Sequence, residues 1–222
     1  MTLQRSAPQA TGSPERVCNH VGHLRDPACL REASHQTPQS SAPGMDHVTA
    51  KQYAEHLDEP LRDLQERLRD NRYVAPPVER VWIEQDEGKK RPIGQPCCED
   101  KIVQRAVVRI LEAICAQDVH ACSQGFRKGH SPHQALHERR AQWRTLPITW
   151  RVDADVRGFF DTLAWSHLRE FLQQRGRDGG RRRRIGTWLH AGVLEAGALM
   201  HPDKGTPQGG VVTLPTKLPT FW

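Results

Sequence analysis

The chain has 222 residues, enough for one medium domain or two small ones, and its 36% hydrophobic against 26% charged residues is lean for a packed core. A net charge of +6 favours polyanionic partners such as nucleic acid. No apolar run approaches the length of a membrane span, and the N-terminus lacks a secretory pattern, so the sequence reads as cytoplasmic, off the membrane, with six reduced cysteines.

Residues 1–43 are rich in Ser, Pro, Gln and His and show no sustained periodicity, so they are expected to form a flexible leader. Cys18, His20, His23 and Cys29 fall in or near it, but their spacing fits no familiar zinc module. Ordered structure is expected from about Val48. Thr49 with Gln52 predicts a capping box, and Tyr53, Leu57, Leu61, Leu64 and Leu68 follow at helical spacing, interrupted near Pro60. Val78–Ile83 and Arg91–Gln95 read as a hairpin around Asp86-Glu87-Gly88, with Lys89, Lys90 and Arg91 at its base. Next comes the clearest helix, whose stripe is Ile102, Val103, Ala106, Val107, Ile110, Leu111 and Ile114, with Glu99 and Asp100 in its first turn and Cys115 on the apolar side.

Ser123–Gly129 predicts a loop carrying Arg127 and Lys128, and Ser131-Pro132 with Gln134 opens a helix to about Trp143. Thr149–Val156 predicts a strand, followed by helices over 165–175 and 181–194. Helices and strands mix without a βαβ rhythm, which points to an α+β fold.

Alternation along the 149–156 strand places Asp153 and Asp155 on one face beside a glycine turn. Such a pair can hold a hard cation, since Mg²⁺ takes one or two carboxylates with phosphates and water. A solvated strand end explains an isolated Asp-x-Asp more simply, and only the rest of the chain shifts that balance. Lys89, Lys90 and Arg91 are either a solvated hairpin tip or cations for a triphosphate. The run Arg181 to Arg184 points in all directions on a helix, so it divides between a solvated face and contacts to RNA phosphate, while Ile185, Trp188 and Leu189 turn inward.

Six segments occur in order: Ala42-Pro43-Gly44-Met45-Asp46, Lys90 to Pro96, Glu99 to Ala106, Ser123 to Arg127, Asp153 to Asp161, and Gly205-Thr206-Pro207-Gln208-Gly209-Gly210. Together they resemble the reverse transcriptases encoded by group II introns, the intron maturase family, over roughly three quarters of the chain. The resemblance implies an α+β fold made of the fingers and an incomplete palm of a right-hand polymerase. Residues 44–148 would be fingers-like, 149–210 a partial palm, and 211–222 an aberrant tail. It implies an RNA-directed DNA polymerase acting on an RNA template or intron RNA with a DNA primer and dNTPs.

Carried over by position, Asp155 matches the first catalytic aspartate, and its carboxylate with the Val156 carbonyl would bind Mg²⁺. Phe160 matches the aromatic that excludes a 2′-hydroxyl, although by composition alone it reads as a core residue. Lys90, Arg91 and Gln208 match positions facing the incoming nucleotide. Arg127, Lys128, Arg181 and Arg182 are the candidates for RNA contact, and Asp153 and Asp161 are expected to be structural. The family's later Tyr-x-Asp-Asp hairpin has no counterpart, since no Asp-Asp pair occurs in the 222 residues. The expectation is therefore a truncated, inactive polymerase or, alternatively, a non-catalytic RNA-binding module.

Overall fold

The computed structural model describes residues 26–85, 88–115, 123–125, 129–147, 149–175 and 179–206. Helix α1 (Pro27–His35) opens at Asp26, whose side chain accepts the Ala28 amide, with Pro27 in the first turn, where a missing N–H costs nothing. Helix α2 (Ala50–Glu55) carries the expected reciprocal capping box between Thr49 and Gln52. Helix α3 (Asp58–Arg69) follows a break at His56 and Leu57, with Pro60 in its first turn, and buries Leu61, Leu64 and Leu68.

Strands β1 (Val78–Glu84) and β2 (Lys90–Gln95) form the predicted antiparallel hairpin. Helix α4 (Cys98–Cys115) is the central helix. Ile102, Val103, Ala106, Val107, Ile110 and Leu111 are all buried, as their spacing demands. The side chains of Ile114 and Cys115 lie outside the described residues. Helix α5 (Pro132–Thr145), the short α6 (Phe159–Thr162), α7 (Trp165–Arg175) and α8 (Gly179–His190) follow, then β3 (Val193–Glu195) and β4 (Ala198–Met200). The sheet order is β2-β1-β3-β4, with β1 and β3 parallel and the two outer pairs antiparallel. This is a mixed α+β fold with one small sheet.

Three expectations are corrected. The leader does not extend to residue 43, because α1 inserts Cys29, Leu30 and Ala33 into the main core, and Arg109 of α4 pairs with Glu32 at 2.6 Å. A nine-residue helix shows too few turns for periodicity to stand out from a polar flank. Of the four Cys and His residues near it, Cys29 is a core thiol whose pKa burial raises, and the other three lie outside the described residues. Second, 149–156 is not a strand. Its described residues are exposed and pair with no other strand, and an extended segment without a ladder does not hold β geometry. Third, the last helix stops at His190, and Gly192, with φ of +85°, turns the chain into β3.

Leu168, Ile185 and Leu189 share one core with Leu30, Leu64, Ile102 and Val107, so side chains from both sides of residue 149 pack together. Each fully buried Leu or Ile there contributes about 1.5–3 kcal/mol before chain entropy is counted. A polar cluster sits within this core. Asp100, 1% exposed, accepts hydrogen bonds from the Tyr73 hydroxyl, Trp188 Nε1 and Gln104 Nε2. Arg184 is buried too, donating to the Leu68 carbonyl at 2.6 Å with its guanidinium over the Tyr73 ring. Next to Asp100 in α4, the Lys101 ammonium donates to the Ala42 carbonyl. A Cβ on Gly44 would lie 2.6 Å from the Cys97 nitrogen, so the Ala42-Pro43-Gly44 turn can lie against the start of α4 only with glycine there.

Candidate nucleotide site

The Asp155 segment leads into a tight turn. Gly158, at φ +59°, precedes α6, and its carbonyl accepts the amides of Asp161 and Thr162 and the Thr162 hydroxyl. Phe159 and Phe160 meet edge to face at 5.4 Å, both half-buried. The glycine-rich motif reaches this turn from the far end of the sequence. The Thr206 amide donates to the Phe160 carbonyl at 2.7 Å, and the Gly205 amide donates to the Leu163 carbonyl at 2.8 Å. Trp165 Nε1 closes the clamp on the Gly205 carbonyl at 2.7 Å.

Gly205 has φ of +81°, and an added Cβ would lie 2.8 Å from the Phe160 carbonyl oxygen and 2.9 Å from that of Asp161. The motif needs glycine here both for its backbone angle and for its close approach. Two sequence motifs are thus held together through backbone hydrogen bonds. Neither Trp165 nor the clamp was legible beforehand, since an indole in a helical stretch gives no sign of a backbone partner.

The other candidate residues are placed as follows. Asp155 and Val156 are exposed. Asp153 forms a bidentate ion pair with Arg151, whose hydrogen bonds hold its carboxyl below the usual range. Lys90 and Arg91 are exposed on β2, opposite Glu84 and Ile83 of β1. Gln208, Arg127 and Lys128 lie outside the described residues, as do the side chains of Arg181 and Arg182. The arginine run divides: Arg183 is exposed, while Arg184 belongs to the core.

Asp153 is engaged by Arg151, Asp155 and Asp161 are exposed, and among the described residues no group of three Asp, Glu, His or Cys side chains converges, so these residues alone do not make up a two-ion magnesium site.

A sequence profile of the family described as reverse transcriptase (RNA-dependent DNA polymerase) matches residues 83–213, spanning β2, the Asp155 turn and the glycine motif. Protein YkfC of Escherichia coli K12 is 30% identical over 210 residues, covering 92% of this chain and 55% of that protein. The group II intron-encoded protein LtrA of Lactococcus lactis is 32% identical over 157 residues, 70% of this chain and 26% of LtrA. Among solved structures, a chain of a partial Cas6-RT-Cas1–Cas2 complex shares the fold, with a TM-score of 0.54 at 22% identity over 92% of this chain and 35% of that one.

The chain belongs to the reverse transcriptase family, on the branch of group II intron-encoded reverse transcriptases and maturases. It spans about half the length of YkfC and about a quarter of LtrA.

Proposed function

We propose that this chain supplies the nucleotide-facing half of an RNA-directed DNA polymerase, and that these 222 residues alone bind nucleic acid without extending a primer. The observation that carries the reading is the clamp between Phe160 and Gly205-Thr206. It sets the Asp155 turn and the start of the glycine motif side by side, as one template- and nucleotide-binding surface requires. In this reading Phe160 lies under the sugar of an incoming dNTP, while Arg91 and Lys90 offer cations to its triphosphate. Gln208 approaches base and template from the glycine turn, and Arg127, Lys128, Arg181 and Arg182 contact RNA phosphates. Residues 44–148 act as fingers and 149–210 as part of the palm.

Chemistry needs more than this surface. Phosphoryl transfer rests on preorganised charge, and losing one such group commonly costs about 3 kcal/mol or more of transition-state stabilisation.

Primer extension tests this, with purified chain, an RNA template, a DNA primer, dNTPs and Mg²⁺, and with Asp155→Asn as control. No extension by either protein, with RNA retained on a filter, is the expected result. Extension by the wild type that Asp155→Asn abolishes would overturn the non-catalytic part of the proposal and identify a minimal polymerase.

A further inference from the structure

Helix α5 has fourteen residues, a reciprocal capping box between Ser131 and Gln134, and no buried side chain. A helix this short is marginal in water without tertiary contacts, so its exposed surface calls for a ligand. At 3.6 residues per turn its two sides differ sharply. Arg139, Arg140, Arg144, Leu136 and Trp143 fall on one side, together with both histidines of the helix. The other side carries Gln134, Ala135, Glu138, Ala141, Gln142 and Thr145, and Glu138 accepts a hydrogen bond from Gln124. Trp143 is 52% exposed, and Trp150, just beyond the helix, is 88% exposed.

The mixture decides what this side binds. A helix that packs on protein or lies in a membrane surface segregates its apolar residues from its charged ones. Here the cations and the indole share one side. Burying three arginines against protein would cost several kcal/mol each unless all were paired. A nucleic-acid strand meets both demands, because phosphates neutralise arginine and unpaired bases stack on tryptophan. Arg140 and Arg144 stand one turn apart, about 6 Å along the axis, so both can follow one backbone.

We propose that this side of α5 is a binding surface for single-stranded nucleic acid, with Arg140 and Arg144 on phosphates and Trp143 stacked on a base. The proposal goes beyond the polymerase reading and rests only on its nucleic-acid partner, not on its chemistry.

The test is fluorescence anisotropy of labelled oligouridylate and oligothymidylate, titrated with the full chain over a range of salt concentrations. Arg140→Ala/Arg144→Ala should weaken binding by about tenfold or more and lower the slope of log affinity against log salt by roughly 1.4. Trp143→Ala should cost about tenfold, leave the salt slope unchanged and abolish the part of the indole quenching caused by the ligand. Gln142→Ala, on the opposite side, should bind as wild type. Losses on both polymers support a general strand site, and losses on RNA alone support an RNA site. Variants that bind like wild type overturn the proposal, as do variants whose melting temperature falls while affinity per folded molecule holds, which marks a protein-packing face. Wild-type binding with unaffected variants sinks this surface alone. A wild-type chain that binds neither polymer sinks the nucleic-acid reading as well.

Discussion

The Thr206 amide donates to the Phe160 carbonyl, so the last described residue of the chain is fastened to the aromatic pair beyond Asp155. The bond joins two backbones, and the close approach on which it depends is guaranteed by Gly205, whose missing side chain leaves room for the Phe160 and Asp161 carbonyls.

Gly205→Ala should break this junction. The new methyl must displace backbone at 2.8 Å and adopt a positive φ, a combination expected to cost about 2–3 kcal/mol. Thermal melts read the loss, and limited trypsin digestion should cut faster after Arg157. A variant that melts and digests like wild type would show that the clamp does not hold the turn.

Asp100 gives the fold a pH dependence of unusual sign for a carboxylate. Burial pushes its carboxyl up to about 6, against hydrogen bonds from Tyr73, Trp188 and Gln104 that pull it down. Folded protein therefore keeps a proton that the unfolded chain releases near pH 4. The stability from this group is fully present below that pH and is lost as pH rises through 6, by about 3 kcal/mol in all. Denaturant melts of wild type and Asp100→Asn between pH 4 and 7.5 should diverge along that curve, with the Asn variant lacking the slope. Parallel curves would refute the assignment.

Leu30→Ala should lower stability by about 2–5 kcal/mol, since Leu30 is fully buried against the central helix. Urea melts measure it. A change below about 0.5 kcal/mol would mean that α1 is dispensable to the core, as a leader would be.

Arg183 and Arg184 are adjacent in sequence and opposite in role. Arg184→Ala strands the Leu68 carbonyl and empties the space over Tyr73, with an expected cost of about 2–3 kcal/mol. Arg183→Ala, on an exposed side chain, should stay within about 0.5 kcal/mol. Equal effects from the two would contradict the division of the run.

What the sequence made legible depends on where each signal resides. The α4 stripe, the Thr49 and Ser131 capping boxes and the β1–β2 hairpin are local patterns, and all appear where their residues place them. The order of motifs identified the family because it needs no geometry at all. Helix α1 was missed because its polar context hides three buried residues. The 149–156 strand was over-read, since alternation supplies a face but not a neighbouring strand to bond. Asp100 looked like an ordinary first-turn acid, and only Tyr73 and Trp188, distant in sequence, make it a core group. Of the candidate site, the sequence named Asp155, Val156 and Phe160, but it gave no hint of the Trp165 hydrogen bond that helps lock Gly205 against them.

The parallel pairing of β1 with β3 sets an order of events during synthesis. Arg80 and Trp82 reach Glu195 across more than a hundred residues of chain, while the hairpin partner β2 follows β1 at once. At the pace of translation, on the order of ten seconds separates the appearance of the hairpin from that of the strand that covers its other side. Through that interval Val78 and Glu79, the β1 residues that later pair with β3, lie on an open edge, and the hairpin is the segment where chaperones would be expected to bind the nascent chain.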